Sequence, residues 1–238
     1  MSETKAEFWQ RIGAAFHRLR KYPEALQAYE SACKLEPDDP DIMCSMGFIL
    51  CDLGRHQESE TAFKRSLELK ASAKAFSGLS LALNFQHMPN EAYQAALDGL
   101  NLFPGNVQLK VRLATISETL RKGEDAMRIF REVIEVDPDN IEALSGVGRG
   151  YMRDLHYAEA LHYLNMAVGK EGNIVPALCT MVSAYIQMQD LIKANETVDR
   201  IAEIDHEVAE DFRRLVDEFS HEPPESSESG DTEGMTEH

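Results

Sequence analysis

The chain has 238 residues, enough for one large or two small domains and for a sizeable core. Its 43% hydrophobic and 27% charged residues are those of an ordinary globular protein, which excludes a collagen, a disulfide miniprotein and a wholly disordered chain. With 24 Lys and Arg against 41 Asp and Glu the net charge is -17, a surface that repels phosphate, so general nucleic-acid binding and docking on anionic lipid drop out.

At the start of the chain, Glu3 and Glu7 stand where an export signal needs a basic and then an apolar region, and no such signal is read there. The longest nearly apolar runs, 42–51 and 174–186, fall short of the roughly 20 residues a membrane helix needs, so no direct membrane insertion is expected. Cys33, Cys44, Cys51 and Cys179 contain no Cys-x-x-Cys pair and suit a reducing compartment. These features together predict a cytoplasmic protein.

From Ala6 onward a period governs the chain. Trp9-x-x-Ile12-Gly13-x-x-Phe16, Ala25-x-x-x-Tyr29, Ala32 and Pro37 recur with substitutions, in units that start at 6, 40, 73, 107, 141 and 175. Six repeats of about 34 residues fill 6–208, after an N-terminal extension of residues 1–5. Gly13, Gly47, Ser80, Ala114 and Gly148 form a column of small residues that lets two helices approach closely, with Val182 the exception. Ala25, Ser59, Ala92, Ala126, Ala160 and Ala194 form a second small column. Tyr29, Phe63, Phe130, Leu164 and Val198 form a bulky one, so each helix pair is built small against large. Pro37, Pro104 and Pro138 end second helices, and the residues after them suit a turn and a helix start.

This pattern resembles the tetratricopeptide repeat family over residues 6–208. It is fullest in repeats one and five and weaker in repeats four and six; Lys110 and Ser117 replace expected apolar residues, and Pro is missing at Ala71, Gly172 and His206. The resemblance implies an all-α, right-handed superhelical solenoid of stacked antiparallel helix pairs, whose first helices line a concave surface. Beyond the repeats, 206–220 carries Val208, Phe212, Leu215, Val216 and Phe219 at helical spacing and reads as a capping helix. Residues 221–238, with six acids and no Lys or Arg, read as a disordered acidic tail. Nothing comparable to the cap precedes the first repeat, so Phe8, Trp9 and Ile12 mark an uncovered edge and a candidate self-association surface.

Motifs that carry chemistry are few. Gly146-Val-Gly-Arg-Gly150 resembles part of a phosphate loop but lies inside a first helix, where Gly148 is the small packing residue. Cys44 and Cys51 share a helix face two turns apart, about 10 Å, too far for one ion, and the histidines are scattered. No catalytic constellation, cofactor or metal is expected, and the protein is read as a non-enzymatic one.

The family's ligand-contacting positions imply a groove. Its basic residues are Arg11, Arg18, Lys74, Arg112, Arg149 and Arg153, against the acids Glu7, Asp41, Asp52, Glu118 and Glu142, so the chain's acidity sits mainly outside it. Phe48, Leu81, Phe85 and Val111 form an apolar middle, with Cys44, Cys51 and Asn84 beside it. Such a surface suits a protein partner, a peptide or helix with apolar anchors and some acidic groups. Relatives that clamp the C-terminal carboxylate of major heat-shock chaperones use a set of residues of which only Lys74 is matched, and that clamp is not expected. Two functions stay open: an adaptor or assembly scaffold, and an export or secretion chaperone that holds an aggregation-prone client.

Overall fold

The computed structural model describes residues 4–170, 172 and 174–221, and these are helical with turns between. The expected acidic tail from 222 onward and residues 1–3 of the N-terminal extension lie outside the described residues. Six helix pairs follow one another: α1 Lys5–Arg18 with α2 Tyr22–Leu35, α3 Pro40–Asp52 with α4 His56–Leu69, and α5 Ala73–Phe85 with α6 Pro89–Leu102. Then come α7 Val107–Thr119 with α8 Gly123–Val136, α9 Ile141–Arg153 with α10 Tyr157–Val168, and α11 Val175–Gln187 with α12 Leu191–Ala202. α13, His206–His221, closes the stack.

Each pair turns in the same way. The chain enters the left-handed region at Arg20, Gly54, His87, Arg121, Leu155 and Gln189, one residue per repeat. Around each of them two backbone bonds close a Schellman turn, as in Arg20 N–H to His17 O (2.9 Å) and Lys21 N–H to Phe16 O (3.0 Å). The helix therefore ends at a fixed place and the second helix starts at once. Second helices stop where proline dictates: α2, α6 and α8 each end two residues before Pro37, Pro104 and Pro138. Asp39, Ser72, Asn106 and Asn140 then cap α3, α5, α7 and α9 by accepting backbone N–H bonds from the first helical turn.

Inside each pair the small column meets the large one. A Cβ on Gly13 would lie 2.5 Å from the Tyr29 ring, one on Gly47 2.8 Å from Phe63, and one on Gly148 2.7 Å from Leu164. Where the small residue is serine, the hydroxyl bonds to the partner helix's backbone: Ser59 Oγ donates to Gly47 O (2.7 Å) and Ser80 Oγ to Ala92 O (2.8 Å). The substituted positions of the fourth repeat are accommodated as well. Ser117 is buried and donates to Leu113 O at 2.8 Å, while Lys110 reaches Glu132 across the pair at 3.3 Å. The glycines of the loop-like stretch are packing residues: Gly146 meets Phe130, Gly148 Leu164 and Gly150 Met127.

From α3 to α13, neighbouring first helices and the last helix touch one another, while among the described residues no comparable contact joins consecutive second helices. The stack is thus tighter on the first-helix side, which makes that side the inside of the curve. α13 buries Ala209 and Val216 and rests Val208, Phe212 and Leu215 on the last pair.

Candidate functional site

The inner face is a ladder of first helices, and its side chains divide into three groups. The first group is reachable and apolar. Phe85, at the C-terminal end of α5, is 49% exposed and stacks on His56 from the preceding turn, with ring centroids 4.9 Å apart and planes 25° apart. Phe48 stands edge-on to buried Phe63 at 4.9 Å, and Lys74 Nζ lies 5.5 Å above its ring. Leu81 and Asn84, on the same helix as Phe85, are partly exposed. His56 begins a second helix, so the repeat phase alone gave no reason to place it beside the groove.

The second group is charged. Arg11 and Arg18 are exposed on α1. Arg149 on α9 holds Glu118 on α7 through two bonds, Nη2 to Oε2 at 2.7 Å and Nε to Oε1 at 3.3 Å, and so ties two consecutive repeats together. Arg153 lies over Gly123 and donates from Nε to Asp154 at 3.2 Å. These two arginines are expected as free grips for a ligand's acids; the structure gives both a carboxylate of their own. Arg112 on α7 differs, since its Nε is sealed from solvent and has no hydrogen-bond partner among the described residues. Burial pulls its guanidinium below the ordinary arginine range, and Glu142 opposes that shift.

The third group corrects the sequence reading. Cys44 (2% exposed), Cys51 (6%) and Val111 (3%) are buried in the core that runs from α3 to α9, so a ligand on the inner face does not touch them. They share the face with groove residues by phase, but in the stack they are taken into the core, Cys51 against Ser59 of its own pair. Cys51 Sγ is 3.0 Å from Ser59 Oγ, whose proton goes to Gly47 O, which makes the thiol the donor in a short relay. Burial pushes the Cys44 thiol up to about 11 and raises that of Cys51.

Two clefts flank the Arg149–Glu118 bridge. One, of about 780 Å³, is lined by Lys122, Glu124, Arg153 and Asp154 among others. The other, of about 480 Å³, lies between α7 and α9 and is lined by Arg112, Thr115, Glu142 and Ser145, with Asp137 and Asp139 at its side. Among the described residues no three His, Cys, Asp or Glu side chains gather as a metal-binding set, and no helix is long and apolar enough to cross a membrane. At the start of the stack, Phe8 (43% exposed) and Trp9 (38%) meet edge to face at 5.6 Å, with Ile12 partly buried behind them. α1 begins there on a capping box, with Thr4 and Glu7 satisfying each other's backbone N–H groups.

Residues 13–54 match a family model described as TPR repeat. Over 99 residues the chain is 30% identical to Tetratricopeptide repeat protein 8 of Caenorhabditis elegans, which covers 42% of this chain and 20% of that protein. It is 23% identical over 195 residues to TPR repeat-containing protein YpiA of Bacillus subtilis, covering 80% of this chain and 45% of the other. The chain thus spans less than half the length of these curated relatives. A crystal structure of a tetratricopeptide repeat protein from Parabacteroides merdae superposes with a TM-score of 0.77 at 15% identity, over 89% of this chain and 84% of that one. The matched segment runs from the middle of α1 to just past α3, and the structural likeness carries the same helix-pair geometry through nearly the whole stack; the fold is that of a tetratricopeptide repeat solenoid, with the sequence match to the family lying in its first repeats.

Proposed function

We propose that the chain is a non-enzymatic interaction scaffold whose inner face holds a peptide or helix of a protein partner. The observation that carries this reading is Phe85, a half-exposed aromatic ring stacked on His56, on the same helix as Leu81, Asn84 and the Lys74 that lies over the Phe48 ring. A rigid, partly desolvated aromatic anchor is what concentrates binding energy at a protein interface. The arginines further along the face suit acidic groups on the same partner. A reducing, cytoplasmic setting accords with the four free cysteines.

A photo-crosslinking residue placed at Phe85 tests the assignment against one at Leu102, which is exposed on a second helix. A partner adduct is expected from position 85, and Phe85→Ala with Lys74→Glu is expected to weaken that partner's binding at least tenfold. Equal adducts from both positions would remove the inner face from the proposal. Solubilisation of an aggregation-prone client on co-expression, without a fixed stoichiometry, would instead favour the export or secretion chaperone reading. We extend the proposal to self-association through Phe8, Trp9 and Ile12, where a second copy would cover the apolar edge. Sedimentation at micromolar concentration should show more than monomer, with loss on Phe8→Glu; a strict monomer at every concentration sinks that extension.

A further inference from the structure

Arg112 is a charged residue of the inner face whose surroundings, among the described residues, leave a buried donor without an acceptor. A guanidinium presents five donors in a rigid fork and stays charged in a protein, so enclosing it without acceptors is unfavourable. Its Nε is enclosed in that way. Glu142, on the next first helix, acts on it electrostatically but closes no ion pair with it among the described residues. The other charges at the cleft are largely occupied. Arg149 is held by Glu118, Asp139 is ion-paired with Lys170, and Asp137 accepts a bond from Asn140 at 2.9 Å. The cleft of about 480 Å³ over Arg112 is wide enough for a side chain and also presents the Ser145 hydroxyl.

We propose that Arg112 is the receptor for a single carboxylate, borne on an acidic side chain of the partner, which enters the cleft between α7 and α9 and, with a small shift of the Arg112 side chain, accepts from its guanidinium. The inference rests on the reading of the inner face as a partner-binding surface and names the chemistry of one anchor on it. A carboxylate suits the site because one negative charge matches one unpaired cation. A phosphate dianion would share the cleft with Glu142, Asp137 and Asp139, which line it, and is disfavoured. The bidentate geometry of arginine and carboxylate offers acceptors to two nitrogens of the fork, Nε among them.

The test uses the full chain and small probes at constant ionic strength, followed by nitrogen-15 NMR of the Arg112 Nε–H and the Ser145 amide. The probes are the α-amide of N-acetylglutamate for a side-chain carboxylate, N-acetylalanine for a chain terminus, and inorganic phosphate. A saturable shift of both signals with the glutamate probe is expected, and Arg112→Gln should weaken the Ser145 response at least tenfold while helix content is unchanged. Glu142→Gln should tighten the glutamate probe by removing a competing acid. Silence of both signals overturns the proposal, as does tighter binding of phosphate. A stronger response to N-acetylalanine overturns the side-chain source. If Glu142→Gln moves the Nε–H in the probe-free protein as strongly as saturating probe moves it in the wild type, Glu142 is the occupant and the proposal fails. A silent titration beside an intact adduct at position 85 overturns this inference alone, whereas a positive titration without that adduct strikes the partner surface at Phe85.

Discussion

Gly78→Ala probes the packing that sets the distance between repeats. Phe63 is fully buried on α4 and its ring is gripped from two sides, by Gly47 in its own pair and by Gly78 on the first helix of the next. A Cβ on Gly78 would stand 2.2 Å from Phe63 Cε1 and 2.3 Å from Cζ, more than 1 Å inside the ~3.5 Å at which carbon atoms pack. The ring has little freedom to retreat, because Gly47 lies behind it and the Phe48 ring stands 4.9 Å away. Overpacking of this severity costs about 2–3 kcal/mol, and the better helix propensity of alanine returns up to about 1 kcal/mol. A net loss of about 1–2 kcal/mol is expected, read as a lower midpoint in urea unfolding followed by circular dichroism. Phe63→Leu alone should cost a comparable amount, on the order of 1–2 kcal/mol, through the space it leaves. The double variant should then cost less than the sum of the two, since the added methyl occupies space that the ring vacates. A Gly78→Ala midpoint equal to or above that of the wild type would refute the reasoning, because helix propensity would then be the only effect at work.

The left-handed turn residues make a pair of opposite predictions. Leu155, at φ 62°, should gain up to about 1 kcal/mol on change to Gly, and Gly54, at φ 73°, should lose about 1 kcal/mol on change to Ala, both read by thermal midpoint. Glu118→Gln leaves Arg149 without its charged partner and should lower stability by about 1 kcal/mol in urea. Burial pushes the ionisation of all four thiols up, but only Cys33 and Cys179 are partly exposed, so at pH 8 alkylation should reach those two first, with Cys44 and Cys51 modified only on unfolding, as mass spectrometry of the digested protein can show. Prompt modification of Cys44 in the folded chain would contradict its burial.

Much of the fold is legible in the residues because each unit solves the same local problem. Gly47 opposite Phe63 and Gly148 opposite Leu164 stand at a fixed spacing, and helix geometry converts that spacing into contact. The prolines and the Asp39, Asn106 and Asn140 caps act through backbone donors within a few residues, so their effect can be read without knowing the rest of the chain. The inner face was legible less completely. The repeat phase points Phe85, Phe48 and Lys74 inward, and it points Cys44, Cys51 and Val111 the same way.

What separates those two sets is the rotation and rise from one repeat to the next, a property of how whole helix pairs nest rather than of any one helix. The period therefore determines which residues share a face. Only the tertiary structure decides that the two cysteines and the valine are taken into the core while Phe85 is left half exposed. The same nesting sets Glu118 against Arg149, 31 residues apart in the chain, and leaves Arg112 between repeats with an unsatisfied donor. Charge pairing at that range depends on distances of a few ångströms between neighbouring repeats, which composition and periodicity do not encode.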